Sequence, residues 1–287
     1  MSRISYTQFS MYSACPLRWK LTYIDKLAPF EKNIYLIFGS AMHTTIQTYL
    51  TTLYNTTIRE ANQLNLYELL QSELITEFNT AKQELDRNPC SKQELYEFFD
   101  DGATILDWFL KHREDYFSKQ HWKLLGCEVP INVPLKNNLR MVGFLDLVLL
   151  HEPTHRIRII DLKTSTRGWN KYQKKDTNKT SQLLLYKQFY AKQYNHPLDK
   201  IDVEFLIMKR KLYDNVDFPQ KRFQRFTPAH GKPSMNKVTE ALSSFINEAF
   251  DDRGNHDILN PFVAQPSKST CRFCVFLNTE YCTKGIG

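Results

Sequence analysis

Residues 139–164 read LRMVGFLDLVLLHEPTHRIRIIDLKT, and two features of this stretch decide the fold. Residues 139–150 and 156–162 are rich in Val, Ile and Leu and are separated by His151-Glu152-Pro153-Thr154, which predicts two strands joined by a hairpin. Each strand also carries a carboxylate among apolar neighbours: Asp146 in Gly143-Phe144-Leu145-Asp146, and Asp161 in Ile159-Ile160-Asp161-Leu162-Lys163-Thr164. A buried Asp is costly unless it is paired, hydrogen-bonded or bound to a cation, so two on neighbouring strands call for a reason. A hard divalent ion with oxygen ligands, Mg²⁺ or Mn²⁺, supplies one. Asp161 and Lys163 are two apart on a strand and leave the same face, which sets an ammonium beside the carboxylates. There it can orient an attacking water and offset charge in a phosphoryl-transfer transition state. A lone D-x-K triplet is more often a strand-end cap with a surface salt bridge to Lys163 or Arg167, so the surroundings must decide.

Working outward, residues 124–135 form a further strand before Lys136-Asn137-Asn138. Residues 181–194 follow as a helix, 201–208 and 222–227 as strands, and 235–250 as a helix. The chain up to Phe117 reads helical, with a Ser91 to Glu94 capping box ahead of Leu95, Phe98, Phe99, Ala103, Leu106 and Phe109 on one side. The expected class is α/β: a mixed sheet flanked by helices, under an N-terminal helical cap. With only 9 glycines and no repeat or linker, the 287 residues are expected to make one domain. Within it, 1–120 is the cap, 121–230 the core, and 231–287 a C-terminal helix with a cysteine segment.

The chain is 42% hydrophobic, enough for a core without disulfides. Its 38 Lys plus Arg against 31 Asp plus Glu give a formal charge of +7, which points mildly to a polyanionic partner. No segment approaches the roughly 20 apolar residues of a membrane helix, and the N-terminus lacks a signal-peptide pattern, so a soluble cytoplasmic protein is expected. In such a compartment the spacing of the cysteines favours metal ligation over disulfides. Cys271-Arg272-Phe273-Cys274, followed after seven residues by Cys282, places three thiolates in one short segment, and Cys15 is the candidate fourth. Four thiolates suit a 4Fe–4S cluster or a structural Zn²⁺, and residue types do not separate the two. Either would constrain the unfolded chain by several kcal/mol, as a long-loop disulfide does. Cys90 and Cys127 have no partner at ligand spacing.

The paired carboxylate motifs resemble those of the PD-(D/E)XK nucleases of the RecB type, which include the nuclease domains of RecB and AddB and the CRISPR adaptation nucleases. Phe38-Gly39-Ser40-Ala41-Met42-His43 is similar to the family's first motif, and Gln182-Leu183-Leu184-Leu185-Tyr186 resembles its Q-x3-Y helix. The motifs occur in the family's order. The resemblance implies a restriction-endonuclease-like fold, with His43 joining Asp146, Asp161 and the Leu162 carbonyl as metal ligands. It further implies that Gln182 and Tyr186 support Lys163, that Glu128 is a second-tier acidic ligand, and that the cysteines hold 4Fe–4S in a staple joining the termini. From the residues alone, His43 shares a helical face with Ile46, Gln47 and Leu50 and also fits a core histidine; Gln182 and Tyr186 also fit a polar helix surface. An imidazole ligand favours Mn²⁺ over Mg²⁺.

After Lys163 come Arg167, Trp169, Lys171, Tyr172, Lys174, Lys175 and Lys179, where cations interleave with two aromatics. Such a segment suits phosphate contacts and base stacking on single-stranded or frayed DNA, and equally suits a solvated loop. Lys209-Arg210-Lys211, Lys221-Arg222 and Arg225 add positive charge downstream. The expected function is a Mg²⁺- or Mn²⁺-dependent exonuclease acting in repair, recombination or CRISPR-type processing, with a helicase or recombination partner. Two rivals are a non-catalytic iron–sulfur DNA-binding module working with a helicase, and a redox protein that would not require the acidic pair.

Overall fold

The computed structural model describes residues 2–28 and 32–283. The chain opens with β1 (Ser2–Ser5) and the helices α1 (Tyr6–Ala14), α2 (Pro16–Tyr23), α3 (Ile34–Asn55), α4 (Ile58–Asn62), α5 (Leu66–Leu85) and α6 (Lys92–His112). Strands β2 (Trp122–Pro134), β3 (Leu139–His151) and β4 (Arg156–Ser165) follow, then α7 (Lys171–Lys175), α8 (Thr177–Gln193), β5 (Ile201–Lys209), β6 (Phe223–Phe226), α9 (Lys232–Ala249) and α10 (Lys268–Cys271). Among the described residues the strands make one six-stranded mixed sheet, so the expected α/β class with a helix-flanked mixed sheet stands. No helix among them is long and apolar enough to cross a membrane.

Local signals explain most boundaries. The Ser91 and Glu94 capping box is formed reciprocally, with Glu94 N donating to Ser91 Oγ at 3.1 Å and Ser91 N to Glu94 Oε2 at 2.9 Å. Helix α8 begins at Thr177, ahead of the expected 181, because Asp176 accepts from Asn178 N at 2.9 Å and caps it. Strand β1 was not expected: Ser-Arg-Ile-Ser carries one apolar side chain, the fully buried Ile4, and so has no periodicity to read.

The sheet is buried on both faces. Ile157, Ile159, Val203 and Phe205 enter a core with residues of α1, α8 and α9, whereas Ile160, Leu162, Leu206 and Met208 enter a second core under α3, α5 and α6. This two-sided burial is why β4 and β5 read as near-continuous apolar runs. In β2 and β3 the faces exchange part-way along. Val129, Ile131, Met141 and Leu145 belong to the first core, but Cys127, Leu147 and Leu149 pack into the second. The exchange falls at Glu128 and Asp146, which lie opposite each other between the pairs Cys127–Leu147 and Val129–Leu145. Glu128 has a φ of 50°, a left-handed conformation that costs a non-glycine residue about 1–2 kcal/mol.

An aromatic cluster ties the N-terminal helices to the C-terminal segment. Trp19, fully buried, lies 5.5 Å from both Phe245 and Phe262 and 5.8 Å from Phe250, measured between ring centroids.

Candidate active site

The site is a gap in the sheet. Along one edge of β3, β2 pairs antiparallel over nearly its whole length. Along the other, β1 pairs parallel with residues 139–142 and β4 pairs antiparallel with residues 147–151. Residues 143–146, which carry the Gly-Phe-Leu-Asp motif, have neither neighbour on that edge. Strand β4 continues past the divergence on the support of β5, to Ser165, and so carries Asp161, Leu162 and Lys163 into the gap.

Asp146 reaches across the gap, where its Oδ2 accepts from Leu162 N at 2.6 Å. His43, on α3, places Nδ1 3.6 Å from the same oxygen. Asp161, 2% exposed, has its Oδ2 2.7 Å from Lys163 Nζ. That oxygen is sealed from solvent and makes no well-directed hydrogen bond. Burial pushes both carboxyls up to about 6, with Lys163 opposing the shift in each case. Burial pulls Lys163 down, but Asp161 and Asp146 more than offset it and hold the ammonium above its usual range. Burial, then Lys163, lowers His43 to about 4, so its imidazole is neutral near pH 7 with a ring-nitrogen lone pair available.

Gln47, one turn after His43 on α3, donates from Nε2 to Glu128 Oε1 at 2.7 Å and to the Asp146 carbonyl at 3.0 Å. It thereby joins the two residues at which the strands exchange faces. On the other side, Gln182 Nε2 donates to Tyr186 Oη at 3.3 Å, and burial raises the Tyr186 hydroxyl to about 12. A Cβ at Gly143 would lie 3.3 Å from Tyr186 Oη, so the absent side chain lets Tyr186 lie against the gap. Tyr6, the first residue of α1 just past β1, donates to the Asn178 carbonyl, its hydroxyl raised mainly by burial. Sequence reasoning missed Tyr6, and it placed Gln47 only as a helical neighbour of His43. For Gln47 the i, i+4 spacing from His43 was the available signal; for Tyr6 there was none.

Two carboxylates, a neutral imidazole, the Leu162 carbonyl and the nearby Glu128 are oxygen donors with one nitrogen, residue types that Mg²⁺ and Mn²⁺ take. The sealed Asp161 oxygen already has a cation beside it, the Lys163 ammonium at 2.7 Å. Among the described residues, no three His, Cys, Asp or Glu side chains are drawn close enough together to hold an ion.

The remaining candidates are more dispersed. Trp169 is 8% exposed, with its ring 4.8 Å from Phe205 and 6.1 Å from Phe226, so it is a core residue and its faces are closed to a base. Tyr172, 72% exposed, is the aromatic of that segment that a base can reach. Arg167 lies over Tyr213 at 5.0 Å, Lys171 over Tyr172 at 5.1 Å and Lys174 over Phe226 at 5.7 Å, while Lys175 is exposed. Cys271, Cys274 and Cys282 sit in consecutive tight turns, in which Cys274 N donates to the Cys271 carbonyl at 3.0 Å and Cys282 N to the Thr279 carbonyl at 3.1 Å. Cys15 is buried between α1 and α2, and its neighbour Trp19 packs on Phe262 of the C-terminal segment. All six cysteines are free thiols, and the four proposed ligands are not gathered into a metal-holding group.

No curated protein matches the chain. Among solved structures, a candidate exonuclease from Eubacterium rectale is similar in fold, with a TM-score of 0.50 and 12% identity over 86% of this chain and 80% of that one. The family model of the PD-(D/E)XK nuclease superfamily matches residues 3–279, a span that includes both carboxylate motifs, His43, the Gln182 and Tyr186 helix and every residue of the gap. The chain therefore belongs to the PD-(D/E)XK nuclease superfamily.

Proposed function

We propose that this chain is a Mg²⁺- or Mn²⁺-dependent exonuclease that hydrolyses phosphodiester bonds at DNA ends. The observation that carries the reading is the gap itself: Asp146 crosses it to the backbone N–H of Leu162, next to the solvent-sealed Asp161, and Lys163 Nζ lies 2.7 Å from the Asp161 carboxylate. Asp146, Asp161, His43 and the Leu162 carbonyl are the metal ligands, with Glu128 joining through its Gln47 link. A divalent ion bound there supplies Lewis acidity toward the phosphoryl oxygen and an acidified water. Lys163 orients that water and offsets charge on the transferring group. Gln182 and Tyr186 hold the substrate phosphate against Lys163. Arg167, Lys171, Tyr172 and Lys174 guide single-stranded or frayed DNA to the gap, and Lys175 contacts the strand farther along.

The finer reading gives the chain a RecB-like role in repair, recombination or CRISPR-type processing beside a helicase, and a 4Fe–4S cluster on Cys15, Cys271, Cys274 and Cys282. The docking of Trp19 on Phe262 supports a junction of the two chain ends, and the thiol chemistry suits iron or zinc. Among the described residues the four thiols are not gathered into one group, and hydrolysis is assigned to the gap alone. Iron and sulfide analysis of anaerobically purified protein, beside the Cys271→Ala variant, tests the cluster. For hydrolysis, Asp146→Ala and Asp161→Ala should each abolish Mn²⁺-dependent cleavage of end-labelled DNA while leaving the circular dichroism spectrum intact. Cleavage at the parent rate by either variant would refute the site.

A further inference from the structure

A second feature suited to nucleic acid lies on the far side of α8. A groove of about 480 Å³ runs between α1, α8 and α9. Thr177 and Ser181, four apart and therefore on one face of α8, contribute hydroxyls, as does Ser234 in the first turn of α9. Lys174, Lys175 and Lys237 supply the charge, and no carboxylate lines the groove. Gly231 at the N-terminus of α9 makes no side-chain cap, which leaves backbone N–H groups of that turn unmatched within the helix. The floor is apolar, formed by buried side chains that include Leu184 and Val238. Hydroxyls and cations above an apolar floor suit a sugar–phosphate chain, and the volume falls in the range of nucleotide-sized ligands.

The groove adjoins the gap. Asn178 lines it, and the Asn178 carbonyl accepts from Tyr6 and from Ser10 Oγ, the latter at 3.2 Å. Tyr6, the first residue of α1, thus links the wall of the groove to the end of β1, where the gap begins. At the other end, Lys174 lies over the Phe226 ring of β6 at 5.7 Å, and burial, then Lys174 and Arg222, hold Lys209 below the usual lysine range. Lys209 pairs with Ser165, two residues past Lys163, or roughly 7 Å along the strands.

We propose that this groove is a second DNA-binding subsite, which holds the phosphate backbone of the same strand several nucleotides from the bond being cut, with Lys237 and Lys175 as its charged contacts. The proposal rests on the nuclease reading of the gap and adds to it the path of the strand. A protein ligand is disfavoured because the groove opens beside the gap and its charge is wholly cationic.

The test is fluorescence anisotropy of labelled oligothymidylates of about 4 and about 16 nucleotides, without divalent ions, across a salt series. For the longer strand, the double variant Lys175→Ala/Lys237→Ala should bind several-fold more weakly, and the slope of log affinity against log salt should fall by about 1.4, two phosphate contacts at about 0.7 each. The shorter strand, too short to fill the gap and the whole groove together, should lose less than half as much. Ser181→Tyr, which fills the groove without changing charge, should likewise weaken the longer strand more than the shorter. Equal losses for both lengths, an unchanged salt slope, or a thymidine monophosphate that competes as well as the long strand would each overturn the proposal. Because binding is read without cleavage, an inactive parent protein would refute the nuclease reading alone, while normal cleavage with length-independent losses would refute the groove alone.

Discussion

Gly102→Ala separates local helix preference from tertiary packing by the sign of its effect. Gly102 lies inside α6, where propensity alone makes alanine more stable by about 0.5–1 kcal/mol. In the folded chain, a Cβ there would lie 2.6 Å from Leu70 Cδ2, 3.1 Å from Phe38 Cε2 and 3.2 Å from Met42 Sδ. Those side chains belong to α5 and α3 and are at most 1% exposed, so none can move into solvent. Overpacking of this kind costs about 1–3 kcal/mol, which exceeds the propensity gain. The net effect is a loss of about 1 kcal/mol, and a melting temperature lower by about 2–4 °C for a protein of this size. Because Phe38 and Met42 flank His43 on α3, the Mn²⁺ concentration for half-maximal cleavage should rise as well. Thermal unfolding followed by circular dichroism reads the sign directly. A melting temperature at or above the parent's would refute the α3, α5 and α6 packing described for the cap.

Three further perturbations reach other parts of the account. Gln47→Ala removes the donor shared by Glu128 and the Asp146 carbonyl and should weaken divalent-ion activation by about 10- to 100-fold, as loss of a ligand's supporting hydrogen bond does; a Mn²⁺ titration that overlays the parent's contradicts this. Trp19→Ala empties the centre of the aromatic cluster and should cost about 3–5 kcal/mol in urea unfolding. Arg156 binds the Asp202 carboxylate through Nε at 2.9 Å and Nη2 at 2.6 Å and holds its pKa below the usual range. A depressed carboxyl contributes stability above its unfolded pKa of about 3.9 and loses it as pH falls through the folded value. With both groups over a third exposed, screening limits the pair to under about 1 kcal/mol, so Arg156→Ala should be measurably less stable at pH 7 and match the parent near pH 2.

The strands that carry the carboxylates were legible because two-sided burial writes long apolar runs, against which Asp146 and Asp161 stand out. Helix α6 was legible from its capping box. Strand β1 was not, since four residues with one apolar side chain acquire their conformation only by pairing with β3. The gap was also hidden, because it arises from where β1 stops and β4 begins along one edge, and no local pattern encodes that. The exchange of faces at Glu128 and Asp146 breaks the alternation on which strand reading depends. Trp169 misled for a different reason: its basic neighbours suggest a nucleic-acid surface, whereas its ring is held in the core by Phe205 and Phe226. The carboxylates, Lys163 and His43 carried local motifs, whereas Gln47 and Tyr6 make their bonds to residues far away in the chain.

The most direct test is a time course of end-labelled single- and double-stranded DNA with Mn²⁺, run beside Asp161→Asn, which keeps the size of the side chain and removes its charge. The account requires stepwise, Mn²⁺-dependent shortening from the ends by the parent and none by the variant, at equal folded concentration. Equal degradation by both, or a parent protein that leaves DNA intact with Mn²⁺ and with Mg²⁺, would contradict it.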